Sequence, residues 1–173
     1  MSKALVVVDM QNDFVTDALR NEEGIKIVPN VVSKIKDAIE NGVNVIFTRD
    51  THFDNYMETQ EGKHLPVIHC IKDTKGWEII DDLKPFVDKV IDKPTFGSVE
   101  LAEELKKIDN LEEVELIGLC TDICVISNAL LVKANFPNIP IKVDASCCAG
   151  VTPESHENAL KAMKSCHIDI VNE

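Results

Sequence analysis

Near the start of the chain, Ala4 to Val8 read ALVVV and stop at Asp9. A run that is apolar at every position, not at every second one, belongs to a strand buried on both faces. Such a strand needs neighbours in a parallel sheet and helices above and below it. The rest of the sequence supplies both. From Pro29 to Glu40, Val31, Val32, Ile35, Ala38 and Ile39 recur at three- and four-residue spacing, the face of a helix that Asn41-Gly42 ends. Further strands are expected at Asn44–Thr48, Asp88–Ile91, Val114–Gly118, Ile139–Val143 and Ile168–Val171. Helices are expected from a Ser98 cap to Ile108, from a Thr121 or Asp122 cap through Ala134, and over Pro153–Ser165, with a short one at Trp77–Leu83. Arg49 to Gly76 reads as a long irregular segment, and a loop of that length in a compact domain is usually functional or disordered. The expected fold is α/β: one doubly wound, Rossmann-like parallel β-sheet of about six strands with helices on both faces, joined by right-handed crossovers.

A chain of 173 residues suits one domain spanning 1–173, because domains commonly run to roughly 100–200 residues. Eighteen basic against thirty acidic residues leave a formal charge of -12, a field that repels nucleic acid and anionic membrane surfaces. No stretch of 18 apolar residues occurs, and the first apolar run breaks at once into Asp9, Gln11, Asn12 and Asp13, unlike a signal peptide. The six cysteines lack the paired spacing of a zinc knuckle. A cytoplasmic protein with reduced thiols is the expectation.

Sites in an open parallel sheet form beyond the carboxyl ends of its strands. The residues that follow these strands are Asp9, Gln11, Asn12, Asp13 and Phe14; Asp50 and His52; Lys93; the turn Gly118-Leu119-Cys120-Thr121-Asp122-Ile123-Cys124; and Asp144. Cys124 is the leading nucleophile candidate, since a place near a helix start favours a thiolate. Cys120 is its rival, and a small buried apolar role is the plain alternative for either. Asp9 is placed as general base and Lys93 as electrostatic partner. Cys70, Cys147, Cys148 and Cys166 read as structural. Asp50-x-His52 puts two ligand types on one side of an extended segment, and His64 or His69 offers a third, leaving open positions on a metal. Mixed nitrogen and oxygen ligation suits zinc, with iron or manganese as alternatives.

These residues fall in segments that resemble a known family across nearly the whole chain. VVVDMQNDF (Val6–Phe14), TRDTH (Thr48–His52), LPVIHC (Leu65–Cys70), DKPTFGS (Asp92–Ser98) and GLCTDICV (Gly118–Val125) resemble motifs of the isochorismatase-like cysteine hydrolases, and within them the nicotinamidase-like amidases. The resemblance implies Asp9, Lys93 and Cys124 as catalytic residues. It implies a cis peptide at Leu119-Cys120 and an oxyanion hole from the N–H groups of Cys120 and Cys124. It implies a divalent metal on Asp50, His52 and His69, with His64 having no counterpart. Phe14 and Phe96 would contact substrate, with Phe53 or Trp77 as further candidates. The implied reaction is hydrolysis of a small amide, nicotinamide first, through a thioester on Cys124 with release of ammonia. A homo-oligomer is also implied.

The sequence departs from the nicotinamidase pattern at aromatic positions. Thr51 and Phe53 stand where Trp and Pro are frequent, Leu65-Pro66 replaces a Trp-Pro pair, and Phe96 replaces a Tyr. A carbamoyl or ureido compound is therefore an alternative substrate. Two other classes compete. A receiver-like binding module also carries carboxylates after its first strand and a lysine after a later one. A redox protein could use Cys120 and Cys124, although their spacing is C-x-x-x-C.

Overall fold

The computed structural model describes residues 1–173. Its elements alternate as β1 Ser2–Val8, α1 Asn12–Val15, α2 Glu22–Glu40, β2 Asn44–Asp50, α3 Gln60–His64, β3 Lys89–Lys93, α4 Val99–Lys106, β4 Leu111–Leu119, α5 Ile126–Asn135, β5 Ile141–Ala149, α6 Pro153–Ser165 and β6 Asp169–Val171. All six strands are parallel, in the order β3-β2-β1-β4-β5-β6. The doubly wound expectation holds. No helix is long and apolar enough to cross a membrane.

The run ALVVV explains the layering. Ala4, Val6 and Val8 face a core completed by Leu101, Leu105, Val125, Ala129, Val132, Leu160 and Met163 of α4, α5, α6 and the turn before α5. Leu5 and Val7 face the opposite core, with Ile27, Val31 and Ile35 of α2 and Ile79, Ile80 and Leu83. Each fully buried side chain of this kind contributes about 1.5–3 kcal/mol relative to exposure, which is why a strand apolar on both faces sits at the centre.

Chain order reverses between β1 and β4, so the crevice beyond their carboxyl ends is the switch point. β1 and β4 approach closely there. Gly118 has φ +117, and a Cβ on it would lie 2.1 Å from the Val8 carbonyl oxygen. Only glycine fits that position.

Several local expectations need correction. The helix expected from Pro29 starts at Glu22, where Asn21 caps it by accepting from Gly24 N–H, and it runs through Pro29. An internal proline typically costs ~3 kcal/mol, here offset by the buried face of Ile27, Val31 and Ile35. Trp77–Leu83 is not helical. Ile80 N–H donates to Met10 and Ile79 bridges Gln11, so pairing with the extension of β1 wins over the helical period. The long segment from Arg49 contains a 3₁₀ turn at Tyr56–Glu58 and α3, capped by Thr59. β5 extends to Ala149, because its pairing with β4 resumes after a register shift and buries Cys147 and Cys148.

Candidate active site

Strand register brings the first group together. Asp50 lies opposite Lys93 in the β2–β3 pairing, and Asp9 follows Val8, which pairs with Thr48 and Gly118. Asp9 adopts φ +49, a conformation that Asp tolerates better than most residues. Thr48 Oγ1 donates to its Oδ1 at 2.7 Å. Lys93 Nζ lies 2.6 Å from Asp9 Oδ2, 3.4 Å from Cys124 Sγ and 3.5 Å from Asp50 Oδ1, and it donates to the Thr95 carbonyl at 3.0 Å. Lys93 and Asp9 side chains are completely buried.

Cys124 is delivered by a π-helical turn, Thr121–Val125, that leads into α5. Such wide turns are rare and recur at functional sites. The Leu119-Cys120 peptide ahead of it is cis. The expected helix cap is absent: Thr121 Oγ1 instead meets His156 Nδ1 at 2.7 Å, and Asp122 Oδ1 accepts from Val151 N–H at 3.1 Å. Asn128 ties the turn to the segment after Lys93. Its Nδ2 donates to the carbonyls of Cys124 and Phe96, and its Oδ1 accepts from Ser98 N–H.

Burial sets the charges of this group. Burial pushes the Cys124 thiol well above its ordinary value, the Asp9 charge adds to that, and Lys93 opposes it. Burial thus works against the thiolate that a place near the helix start favours. Burial also raises Asp9, against the opposing pull of Lys93. For Lys93, burial works against the charged form, but Asp9, Cys124 and Asp50 outweigh it and keep the ammonium charged. A buried carboxylate with a raised pKa beside a thiol is poised to take a proton, and the neighbouring ammonium stabilises the anion that results.

The second group lies against the first. Asp50 Oδ2 is 2.9 Å from His52 Nε2 and 3.6 Å from His69 Nε2. Glu61 Oε1, from α3, is 3.3 Å from His52 Nε2 and 3.8 Å from His69 Nε2. The ligand atoms of Asp50, His52, Glu61 and His69 all lie within 4.8 Å of one another. Asp50 Oδ1 is buried and accepts no hydrogen bond. Burial opposes charging of His52, yet hydrogen bonds to Asp50 and Glu61 push it up to about 9. Two carboxylates and two imidazoles converging on one point fit a divalent cation. His64 does not join them; it is exposed and bonds the Gln60 carbonyl of its own helix. Glu61 escaped the sequence reading because it stands in a polar run with Glu58, Gln60 and Lys63. Its only signal was the Thr59 cap that starts a one-turn helix ahead of His69.

A cleft of about 680 Å³ is lined by Phe14, Leu19, Leu65, Cys120 and Val151, with Arg20, Glu22 and Glu23 around it, and no residue of the two groups forms its wall. The Phe14 ring is 5.5 Å from that of His69. The other aromatic candidates lie elsewhere. Phe96 is partly exposed and does not line this cleft, Phe53 is exposed, and Trp77 is buried under the Arg49 guanidinium at 3.6 Å. Tyr56, unremarked in the sequence, is buried with its ring 4.6 Å from His52 and 5.0 Å from His69.

Comparison with known proteins agrees with this layout. The isochorismatase domain model matches residues 3–172. The crystal structure of nicotinamidase from Bacillus subtilis superposes with a TM-score of 0.88 at 29% identity, covering 99% of this chain and 100% of that one. The pyrazinamidase of Pyrococcus horikoshii, solved in complex with zinc, gives 0.84 at 31% identity over the whole of both chains. The N-carbamoylsarcosine amidase of Thermoplasma acidophilum gives 0.81 at 27%, covering 98% of this chain and 95% of that one. A chain matched over almost its full length, with this strand order and this crevice, belongs to the isochorismatase family, on its nicotinamidase-like branch.

Proposed function

We propose that this chain is a cysteine-dependent amidohydrolase that converts nicotinamide to nicotinate and ammonia. One observation carries the reading: the buried chain of contacts from Asp9 through Lys93 to Cys124, set beside a four-ligand cluster. Asp9 takes the thiol proton of Cys124. The sulfur attacks the amide carbonyl carbon, and the N–H groups of Cys120 and Cys124 hold the carbonyl oxygen as it gains charge. The protonated Asp9 returns its proton to the amide nitrogen, the C–N bond breaks and ammonia leaves. Water then attacks the thioester, with Asp9 accepting its proton, and carboxylate and thiol are released. Lys93 keeps its charge throughout and stabilises the anionic partners on either side of it.

Asp50, His52, Glu61 and His69 would hold the metal, zinc first, with iron or manganese as alternatives. Bound there, it would supply a Lewis-acidic anchor for a ring nitrogen. Phe14 packs against the substrate ring from the cleft wall. All six cysteines are free thiols, which suits a reducing compartment such as the cytoplasm.

A second substrate class has one observation in its favour. Leu65 lines the cleft in place of an aromatic side chain, leaving Phe14 as its only ring. A smaller carbamoyl or ureido amide fits such a wall. Ammonia release from nicotinamide and from a carbamoyl amino acid, with zinc, iron and manganese assayed on the same sample, decides between them. Release from nicotinamide that disappears in Cys124→Ala is expected. Release only from the carbamoyl compound would move the assignment, and an inert Cys124 with neither substrate turned over would overturn the mechanism.

A further inference from the structure

Asp9 is followed at two-residue intervals by Gln11 and Asp13, both buried, and neither touches Lys93 or Cys124 through any hydrogen bond. Their contacts run to the other group. Gln11 Oε1 accepts from Asp50 N–H at 2.7 Å, and its Nε2 donates to the Asp50 carbonyl at 2.9 Å and the Trp77 carbonyl at 2.8 Å. The backbone of Asp50 is therefore held from both sides by one amide. Asp13 Oδ2 accepts from Cys70 N–H at 2.7 Å, and Oδ1 accepts from Ala18 N–H at 3.3 Å. Cys70 adjoins His69, and its carbonyl accepts from His52 N–H at 2.9 Å, while Lys72 N–H donates to the His52 carbonyl at 2.9 Å.

We propose that Gln11 and Asp13 are positioning residues of the metal centre: Gln11 fixes Asp50, and Asp13, through Cys70, fixes the separation of His69 from His52. The inference rests on the metal-binding reading above and extends it to residues that touch no ligand atom. Its physical basis is that the two histidines come from a long, mostly irregular segment. Without an anchor, that segment would lose conformational entropy each time a metal gathered its ligands. Gln11 and Asp13 tie it in advance to the end of the central strand. Gly76 completes the seat. Its carbonyl accepts from Asp13 N–H at 2.9 Å, and a Cβ on Gly76 would fall 2.2 Å from Asp13 Oδ2. Alanine there would evict the carboxylate without altering it.

The test is zinc affinity, measured by competition with a chelator, alongside the mapped rate of Cys124 alkylation by iodoacetamide. Asp13→Ala and Gly76→Ala are each expected to weaken zinc binding about 10–100-fold, the usual effect of removing an outer-sphere partner, with Cys124 alkylation unchanged. Asp13→Asn keeps one acceptor for Cys70 N–H, so its loss is smaller. Gln11→Met, which removes three hydrogen bonds at similar volume, weakens zinc binding in the same way. If Asp13→Ala fails to fold, Asp13→Asn and Gln11→Met carry the measurement. Variants that bind zinc as tightly as the wild type would overturn the positioning role alone. Affinity and alkylation that change together would reduce it to general loosening, and a wild type that binds no metal would overturn the metal reading itself.

Discussion

Two lysine–aspartate pairs lie at different places in this sheet, and they behave in opposite ways. Lys34 of α2 meets Asp144 of β5 at 2.9 Å and Glu115 of β4 at 2.7 Å. Asp144 also accepts from Ser146 N–H, Ser146 Oγ and Asn172 Nδ2, so both its oxygens are satisfied. Burial would raise its pKa, but these donors outweigh burial and hold it below the ordinary value. Lys93 and Asp9 are closer and more deeply buried, yet Asp9 goes the other way: burial raises it, the Asp50 charge adds to that, and Lys93 and Thr48 do not outweigh them. A satisfied carboxylate is a strong anion and a poor base. An under-satisfied one is held near the point of accepting a proton. The difference between the two pairs lies here in depth of burial, neighbouring charge and the count of donors, not in the residue types.

The largest test of that contrast is activity. Asp9→Asn should lower amide hydrolysis by about 10²–10⁴-fold, the usual worth of a general base, while Asp144→Asn leaves kcat unchanged; equal losses would erase the distinction. Next is the response to a cation. Zinc at about 100 times its Kd should stabilise the protein by about 2.7 kcal/mol in thermal unfolding, and Glu61→Ala should shrink that gain, whereas Asp144→Asn should not. Third, Lys34→Met should cost about 1–3 kcal/mol in urea unfolding, because the buried Asp144 carboxylate loses its charged donor and keeps only neutral ones, with hydrolysis intact. The smallest effect is on pH dependence. Asp144 is depressed in the folded state, so its pairing contributes stability above the ordinary carboxylate pKa of about 4, and that contribution is lost as pH falls through the lower folded value. Lys34→Met should flatten this acid-side decline in a pH series of urea midpoints.

The sheet was legible because fully buried strands announce themselves as unbroken apolar runs, and the residues after those runs share one edge, except Asp144, which lies inside β5 because that strand runs on to Ala149. The closeness of Asp9, Lys93, Asp50 and Cys124 follows from that alone. Glu61 was not legible, since a carboxylate in a polar one-turn helix has the same local pattern whether it faces water or a metal. The start of α2 was missed because Pro29 looks like a first-turn residue, although seven residues of helix precede it. Trp77–Leu83 misled for the opposite reason: its apolar spacing fits a helix, but its backbone partners are Met10 and Gln11, invisible to any local window. Phe96 comes from the resemblance, as the residue standing where a Tyr is frequent after the lysine; it is exposed and is not part of the cleft that Phe14 lines.

The place of β1 between β2 and β4 also sets an order of assembly. As the chain is made, β1 acquires β2 early, but its other edge waits for Leu111–Leu119. Until then Val6, Val7 and Val8 present an unpaired, apolar edge of the kind that recruits other strands. The same strand that closes this edge leads directly into the turn bearing Cys124, so covering the apolar edge of β1 and placing that sulfur depend on one stretch of chain.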